Sequence, residues 1–332
     1  MKRLILSIGY LVLGASLLSS CIKDDKKECD SYVQFEYTYN LHYTDRFHKE
    51  ASMVDLLLFD ENGVYRDKIT ARADGTFPQG YRINLPGGLD KNMHMIAWTG
   101  IHADHFSVPA LTPGQSTMED VTKILTTTTG TLCSRELPCM MYGKVFTGDA
   151  QRSGIAYGNE VTTVSMMKNT NRVRIALQAK SNGIPVPLDK DEFSYRITVA
   201  NGSYNYLNRS ASDAEVVYQP YLTEENTSLG AVAAELSLLR FWDNAPLHLE
   251  IIHSPAGGAP YTLLDVDFKD YIELLRFAKY QDMPLQEFMD RQDEYELLLI
   301  LTDGSVTPGM AKWICADVSI NEFFLRLQGE DL

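Results

Sequence analysis

Apolar and polar residues alternate one by one along most of this chain, and that spacing admits little but β-sheet. In Ser31-Tyr32-Val33-Gln34-Phe35-Glu36-Tyr37-Thr38-Tyr39-Asn40, Val33, Phe35, Tyr37 and Tyr39 share one face, while Gln34, Glu36 and Thr38 take the other. A period of two describes a strand buried on one side only. Val54–Phe59 is more continuously apolar, as a central strand is, and Asp60-Glu61-Asn62-Gly63 then supplies a turn suited to positive φ. Val64-Tyr65-Arg66 is expected to return antiparallel. Tyr81, Ile83 and Leu85 alternate up to Pro86-Gly87-Gly88, and Met93–Trp98 forms the next strand, closed by Gly100. Residues 108–116 read as loop, and residues 126–129 add β propensity without a firm register.

The pattern then restarts. Strands are expected at Val161–Met167, Asn171–Leu177 and Phe193–Val199, the last closed by Asn201-Gly202. Further strands are expected at Glu215–Tyr218, Ala234–Leu239, Leu247–Ile252 and Tyr295–Leu301. Only two stretches have a helical period. Phe268, Tyr271, Ile272 and Leu275 mark one stripe behind the N-cap Asp267, and a second helix runs from Pro284 to about Gln292. Many short strands with turn signals between them make sandwiches or barrels. With 332 residues the chain is long enough for two domains, and the boundary is placed near Gly158 in the loop 148–159.

The first residues belong to export. Lys2 and Arg3 precede an apolar run, Leu4–Leu18, too short for the roughly 20 residues of a membrane-spanning helix. A basic start, a short apolar core and small residues before a break describe a cleaved secretory signal. Leu18-Ser19-Ser20-Cys21 looks like a bacterial lipobox, so Cys21 is expected to become the first mature residue and to carry acyl chains. One chain anchors only marginally, since each buried methylene contributes about 0.8 kcal/mol, whereas two or three hold stably. Residues 1–20 are thus a signal peptide and 21–30 a lipidated tether. Lys23-Asp24-Asp25-Lys26-Lys27-Glu28 is a solvated linker that also resembles the lysine-and-acid signal for the outer face of a Gram-negative outer membrane.

Charge narrows the partners. After residue 20, 28 basic residues face 44 acidic ones, a net charge of −16 that repels phosphate backbones, so nucleic acid is excluded as a partner. Besides Cys21 there are Cys29, Cys133, Cys139 and Cys315, and in an oxidising compartment they allow disulfides whose pairing the spacing does not decide. Cys315 also reads as a small buried residue. No C-x-x-C, G-x-S-x-G, Walker or H-E-x-x-H pattern occurs. His102-Ala103-Asp104-His105, with His94 nearby, is the best metal candidate and a weak one. Asp265 and Asp267 could pair as carboxylates, though a helix cap explains Asp267 more simply. Glu287, Asp290, Asp293 and Glu294 read as a solvated helix face or capping network. The tyrosines in 32–43 and 204–218 read as strand faces before sugar platforms. No enzyme, cofactor or metal site is expected.

Several segments resemble the fimbrillin-A-associated anchor family, the FimB-type lipoproteins of type V pili. They are Cys29–Phe35 with Tyr37-Thr38-Tyr39-Asn40, Val54–Asp60 with Asn62-Gly63, Ala97-Trp98-Thr99-Gly100, Lys168–Ile175 and Asn201-Gly202-Ser203-Tyr204. The most specific are Met283–Tyr295, Trp313 and Val318–Phe323. Where the family pattern has Trp-Gly-Gly this chain has Trp98-Thr99-Gly100, and where it has Ile-Asn-Gly this chain has Ile320-Asn321-Glu322. The resemblance implies a mainly β chain of two transthyretin-like β-sandwich domains in tandem, 31–158 and 159–332, with a short helical insertion in the second. It implies a subunit that anchors or terminates a fimbria at the cell outer membrane, contributes to adhesion and binds a shaft or accessory pilin by β-strand complementation. A surface adhesin or glycan-binding lipoprotein outside any fibre is the alternative. At the C-terminus Ile314, Ala316, Val318 and Ile320 are expected to share a face. The apolar phase then moves to Phe323, Leu325 and Leu327, as a bulge or tight hairpin requires, which leaves no long tail to donate.

Overall fold

The computed structural model describes residues 31–85, 92–126, 130–147, 160–181, 183–303, 313–321 and 323–326. Cys21, Cys29, the signal 1–20, the tether and the loop 148–159 lie outside the described residues. The alternation of the first segment becomes a strand, Ser31–Glu36, with Val33 and Phe35 buried and Tyr37 following them inward. Met53–Phe59 is central as expected, between Tyr65–Arg72 and His94–Thr99, both antiparallel to it. Gly63 at φ +76° makes the Asn62-Gly63 turn.

One strand organises the first sandwich. Glu160–Lys168 pairs in its first half parallel with Ser31–Glu36 and in its second half antiparallel with Met141–Phe146. It thereby links a sheet of Arg82–Leu85 and Ser31–Glu36 to one of Met141–Phe146, His94–Thr99, Met53–Phe59 and Tyr65–Arg72. Val33, Phe35, Ile83 and Val164 from one sheet meet Val54, Leu56, Met95 and Met141 from the other, and a short helix, Phe47–Glu50, adds Phe47. The sequence starts the second sandwich at residue 159. By its hydrogen bonds, however, Glu160–Lys168 is a strand of the first, and the chain crosses over at Asn169.

The second sandwich packs two sheets. Leu222–Asn226, Ala231–Leu239, Thr170–Ser181, Glu294–Asp303, Trp313–Ile320 and Phe323–Arg326 form one in that order, and Tyr261–Asp267, His248–His253, Phe193–Val199 and Val216–Tyr218 the other. Leu132–Cys133 extends the second of these sheets, parallel to Val216–Tyr218. Phe106–Ser107 and Thr122–Leu125 form a small sheet with Ser203–Asn205. The excursion from 106 to 133 therefore leaves the first sandwich and packs onto the second.

Helices appear at Phe268–Tyr280, capped by Asp267 on the Lys269 N–H (3.0 Å), and at Leu285–Arg291, with Pro284 as N-cap and not as first helical residue. None of the described helices is long and apolar enough to cross a membrane. The expected face of Ile314 and Ile320 is corrected. A bulge between the register pairs Ile300–Asp317 and Leu301–Cys315 flips the phase, so Ile314 is 44% exposed and Ile320 fully buried. The expected tight hairpin follows, with Ile320 opposite Phe323 and Asn321 at φ +45°. The departure at Thr99 has a role of its own. Its hydroxyl accepts from the Met141 N–H (2.7 Å) and donates to the Cys139 carbonyl (3.0 Å).

Candidate functional site

Several of the segments that carry the family resemblance, those around Tyr39, Trp98, Lys168, Tyr204 and Arg291, converge on the seam between the two sandwiches. Trp98, buried on the outer face of the first sandwich, meets Tyr142 at 4.9 Å and reaches Tyr204 of the second at 6.1 Å between ring centroids, both edge-on. The Tyr142 hydroxyl donates to the Tyr206 carbonyl at 2.7 Å. Asn169 and Asn208 exchange two amide hydrogen bonds, 2.6 and 3.1 Å, both side chains buried. A buried amide pair satisfies two donors and two acceptors at once, so this contact tolerates little displacement.

Charges close the seam on one side. Lys168, at the end of the shared strand, reaches Glu50 of the first sandwich (2.8 Å) and Asp293, just past the second helix (2.5 Å). Burial pushes its ammonium down, but Cys139, Asp293 and Glu50 outweigh that and raise it well above the ordinary lysine range. Arg291 lays its guanidinium over Tyr39 (4.0 Å) and Tyr43 (5.0 Å), tying the stretch after the first strand to the helical insertion. A cavity of about 350 Å³ lies here, with Arg46, Glu50, Cys139, Lys168 and Asp293 in its walls.

Behind it lies an ion pair that sequence reasoning missed. Arg240 is 9% and Asp290 7% exposed, and they pair through two bonds of 2.6 and 2.7 Å. The guanidinium also donates to the Asn208 carbonyl (3.0 Å) and lies on Trp242 (4.3 Å), while Gln286 donates to Asp290 (2.8 Å). The expectation of a solvated helix face at 287–294 is therefore corrected for Asp290. Glu287 accepts from Arg291 (2.8 Å), and Glu294 pairs with Arg172 (3.1 Å). Helical periodicity marks Phe288 and Met289 as inward, but nothing local says that an arginine 50 positions earlier waits beside residue 290.

The remaining candidates are dispersed. His94 stacks on Phe146, and the rings of His102 and His105 are 6.5 Å apart. Asp265 lies 3.3 Å from His248, away from the cap formed by Asp267. Cys133, Cys139 and Cys315 are free thiols, and burial pushes Cys139 up to about 12 and Cys315 to about 11. Tyr204 and Tyr218 are fully buried, as strand faces are.

The sheet edges matter for partners. The first strand lies in its own sandwich between Arg82–Leu85 and Glu160–Ser165. Burying Val33, Phe35 and Tyr37 contributes about 5–9 kcal/mol at about 1.5–3 kcal/mol each. Among the described residues Tyr65–Arg72 has one neighbouring strand, its first residue also bonding to Ser116 and Gly114 through the backbone, and Phe323–Arg326 pairs only with Trp313–Ile320.

Comparison with known proteins gives the same picture. The family model described as fimbrillin-A associated anchor proteins Mfa1 and Mfa2 matches residues 26–329. No curated protein matches in sequence. A crystal structure of a candidate adhesin of Bacteroides thetaiotaomicron is 26% identical, with a TM-score of 0.72 over 90% of this chain and 98% of that one. A candidate polysaccharide-binding protein of the same organism is 24% identical, with a TM-score of 0.74 over 91% and 99%. The fimbrial anchor protein Mfa2 of Porphyromonas gingivalis is 17% identical, with a TM-score of 0.65 over 90% and 98%. The mainly β, two-sandwich architecture is thus shared along the chain.

Proposed function

The chain belongs to the fimbrillin-A associated anchor family, and from that premise we propose that it is a lipid-anchored subunit that ends a fimbria at the outer membrane. Acyl chains on Cys21 hold it, the tether 21–30 spaces it from the bilayer, and two sandwiches, the first reaching to Lys168, carry the load at the cell surface. The observation that carries the reading is the cis pairing of Phe323–Arg326 with Trp313–Ile320. A strand already paired within its own sheet is not offered to a neighbour, so a subunit built this way receives a pilin without passing the chain on.

Since Ser31–Glu36 already fills the place between Arg82–Leu85 and Glu160–Ser165, the pilin strand is received elsewhere on the first sandwich. Beyond Tyr65, which is bonded to Gly114 and Ser116, the rest of Tyr65–Arg72 is the open edge with the length for it. Three experiments test the proposal. A pilin-type donor extension grafted after Leu332 is expected to lengthen fibres, and unchanged fibre length defeats the terminator role. A photo-crosslinking residue at Asp67 is expected to capture pilin where the same residue at Thr223 does not. Metabolic palmitate labelling should vanish in Cys21→Ala.

Carbohydrate adhesion is a second reading, favoured by one cavity. It measures about 530 Å³ and sets Trp242 among Arg209, Asp213, Asp243, Asn244 and Gln286, an aromatic face ringed by polar groups. Binding on a glycan array that is lost in Trp242→Ala would support it.

A further inference from the structure

We propose that the cavity on the outer face of the first sandwich binds a small organic anion, a single carboxylate on an apolar body, through the ammonium of Lys123. The strand Thr122–Leu125 alternates, with residues 123 and 125 facing in and Ile124 47% exposed. An inward position on such a strand ordinarily holds an apolar residue, as Leu125 does. Lys123 is instead only 2% exposed, and among the described residues its ammonium has no hydrogen bond or ion pair. Buried charges are normally paired, because leaving water without a partner is costly.

The surroundings supply the rest of a site. The cavity is about 490 Å³, within the range of small-molecule pockets, and Leu57, Tyr65, Phe106 and Leu111 give it apolar walls. Four charged groups line it: Lys123, Lys68, Arg72 and Asp55. Asp55 is already engaged, accepting from the Thr70 hydroxyl (2.6 Å) and lying 3.7 Å from Lys68. A protein of net charge −14 therefore holds a locally positive, mostly apolar hollow. Burial pushes the Lys123 ammonium down to about 8, Asp55 pulling it up and Lys68 pushing it further down, so it is still protonated at neutral pH. Burial also holds the Tyr65 phenol neutral. With a single buried donor, the site suits a monoanion better than a phosphate dianion. The apolar walls take the body of the ligand and the amine takes its head.

The test uses benzoate, with benzyl alcohol as its neutral analogue and acetate as the charge without the body. Titration calorimetry on the full-length mature protein in non-ionic detergent, against a detergent blank, should show benzoate binding more tightly than either control. Lys123→Met, which keeps length and removes charge, should weaken benzoate about tenfold or more and leave benzyl alcohol unchanged. Benzoate binding in the wild type should also fall between pH 7 and pH 9.5, as the amine loses its proton. Equal benzoate affinity in wild type and Lys123→Met, a flat pH profile, or no binding at millimolar benzoate would each overturn the proposal. Should Lys123→Met not fold, the wild-type pH profile and the benzyl alcohol comparison decide. Tyr65, Lys68 and Arg72 belong both to this cavity and to the edge proposed for the pilin strand, but benzoate binding is measured on the protein without pilin, so its failure leaves the fimbrial reading standing.

Discussion

Replacing Asp290 with leucine removes one half of the buried pair that locks the helix Leu285–Arg291 to the end of the strand Ala231–Leu239. The Arg240 guanidinium then keeps only the Asn208 carbonyl and the Trp242 ring, inside a site where it is 9% exposed. Stranding one member of a buried pair costs about 3–5 kcal/mol. Arg240→Met strands the carboxylate instead, with only the Gln286 amide left to it, and should cost a similar amount. The double variant, Arg240→Met with Asp290→Leu, removes both desolvated charges and should be less harmful than either single change, because a well-packed apolar pair can match a buried ionic one. At about 2–4 °C per kcal/mol for domains of this size, each single change should lower the melting temperature by about 6–20 °C. Thermal unfolding of the mature protein, followed by circular dichroism on all four proteins, measures the cycle. If the double variant loses as much as the two singles together, the residues do not act as mutually dependent charges and the account of this lock is wrong.

Lys168→Met should cost about 1–3 kcal/mol, less than the deeper pair because Glu50 and Asp293 keep partial access to water; faster thermolysin cleavage near the crossover at Asn169 would report the loosened seam. For Glu235, burial raises the carboxyl, but the Tyr221 hydroxyl, Arg174 and Arg172 outweigh it and hold it below the usual range. Its contribution is therefore present above about pH 4.3 and lost as pH falls through the folded value, so the gap between wild type and Glu235→Gln in an acid melting series should narrow below about pH 4. Lys123 has the opposite sign. Its amine is depressed to about 8, so the unfolded chain binds more protons up to about pH 10.4. Lys123→Met should accordingly be more stable by about 3 kcal/mol in urea titration at pH 7, with the gain gone above about pH 10.5.

Most single strands were legible because a strand's pattern is local. Val33 and Phe35, the Asn62-Gly63 turn, the Asp267 cap and the reversal at Asn321 each follow from a few neighbouring side chains. Phase was harder. The Ile314 face was misread because the bulge that flips it depends on the register against Ile300 and Leu301, a choice made by the partner strand. The domain limit near residue 158 follows from the loop pattern at 148–159, yet the strand after that loop joins the first sandwich. Its two halves find different partners, and its own residues do not name them.

What the sequence determined by itself is the class of the molecule: a mainly β chain with two helices after residue 267, a net charge of −14, and motifs that resemble an anchor family. The tertiary structure decided where those motifs meet. Trp98, Lys168, Asn169, Tyr204 and Asp290 lie far apart along the chain and form one seam. It also decided that Ser31–Glu36 and Phe323–Arg326 are both paired within their own chain. The physical reason is the range of the interactions. Alternation and capping act within a few residues, whereas parallel pairing, buried charge pairs and strand exchange depend on which distant segment arrives alongside.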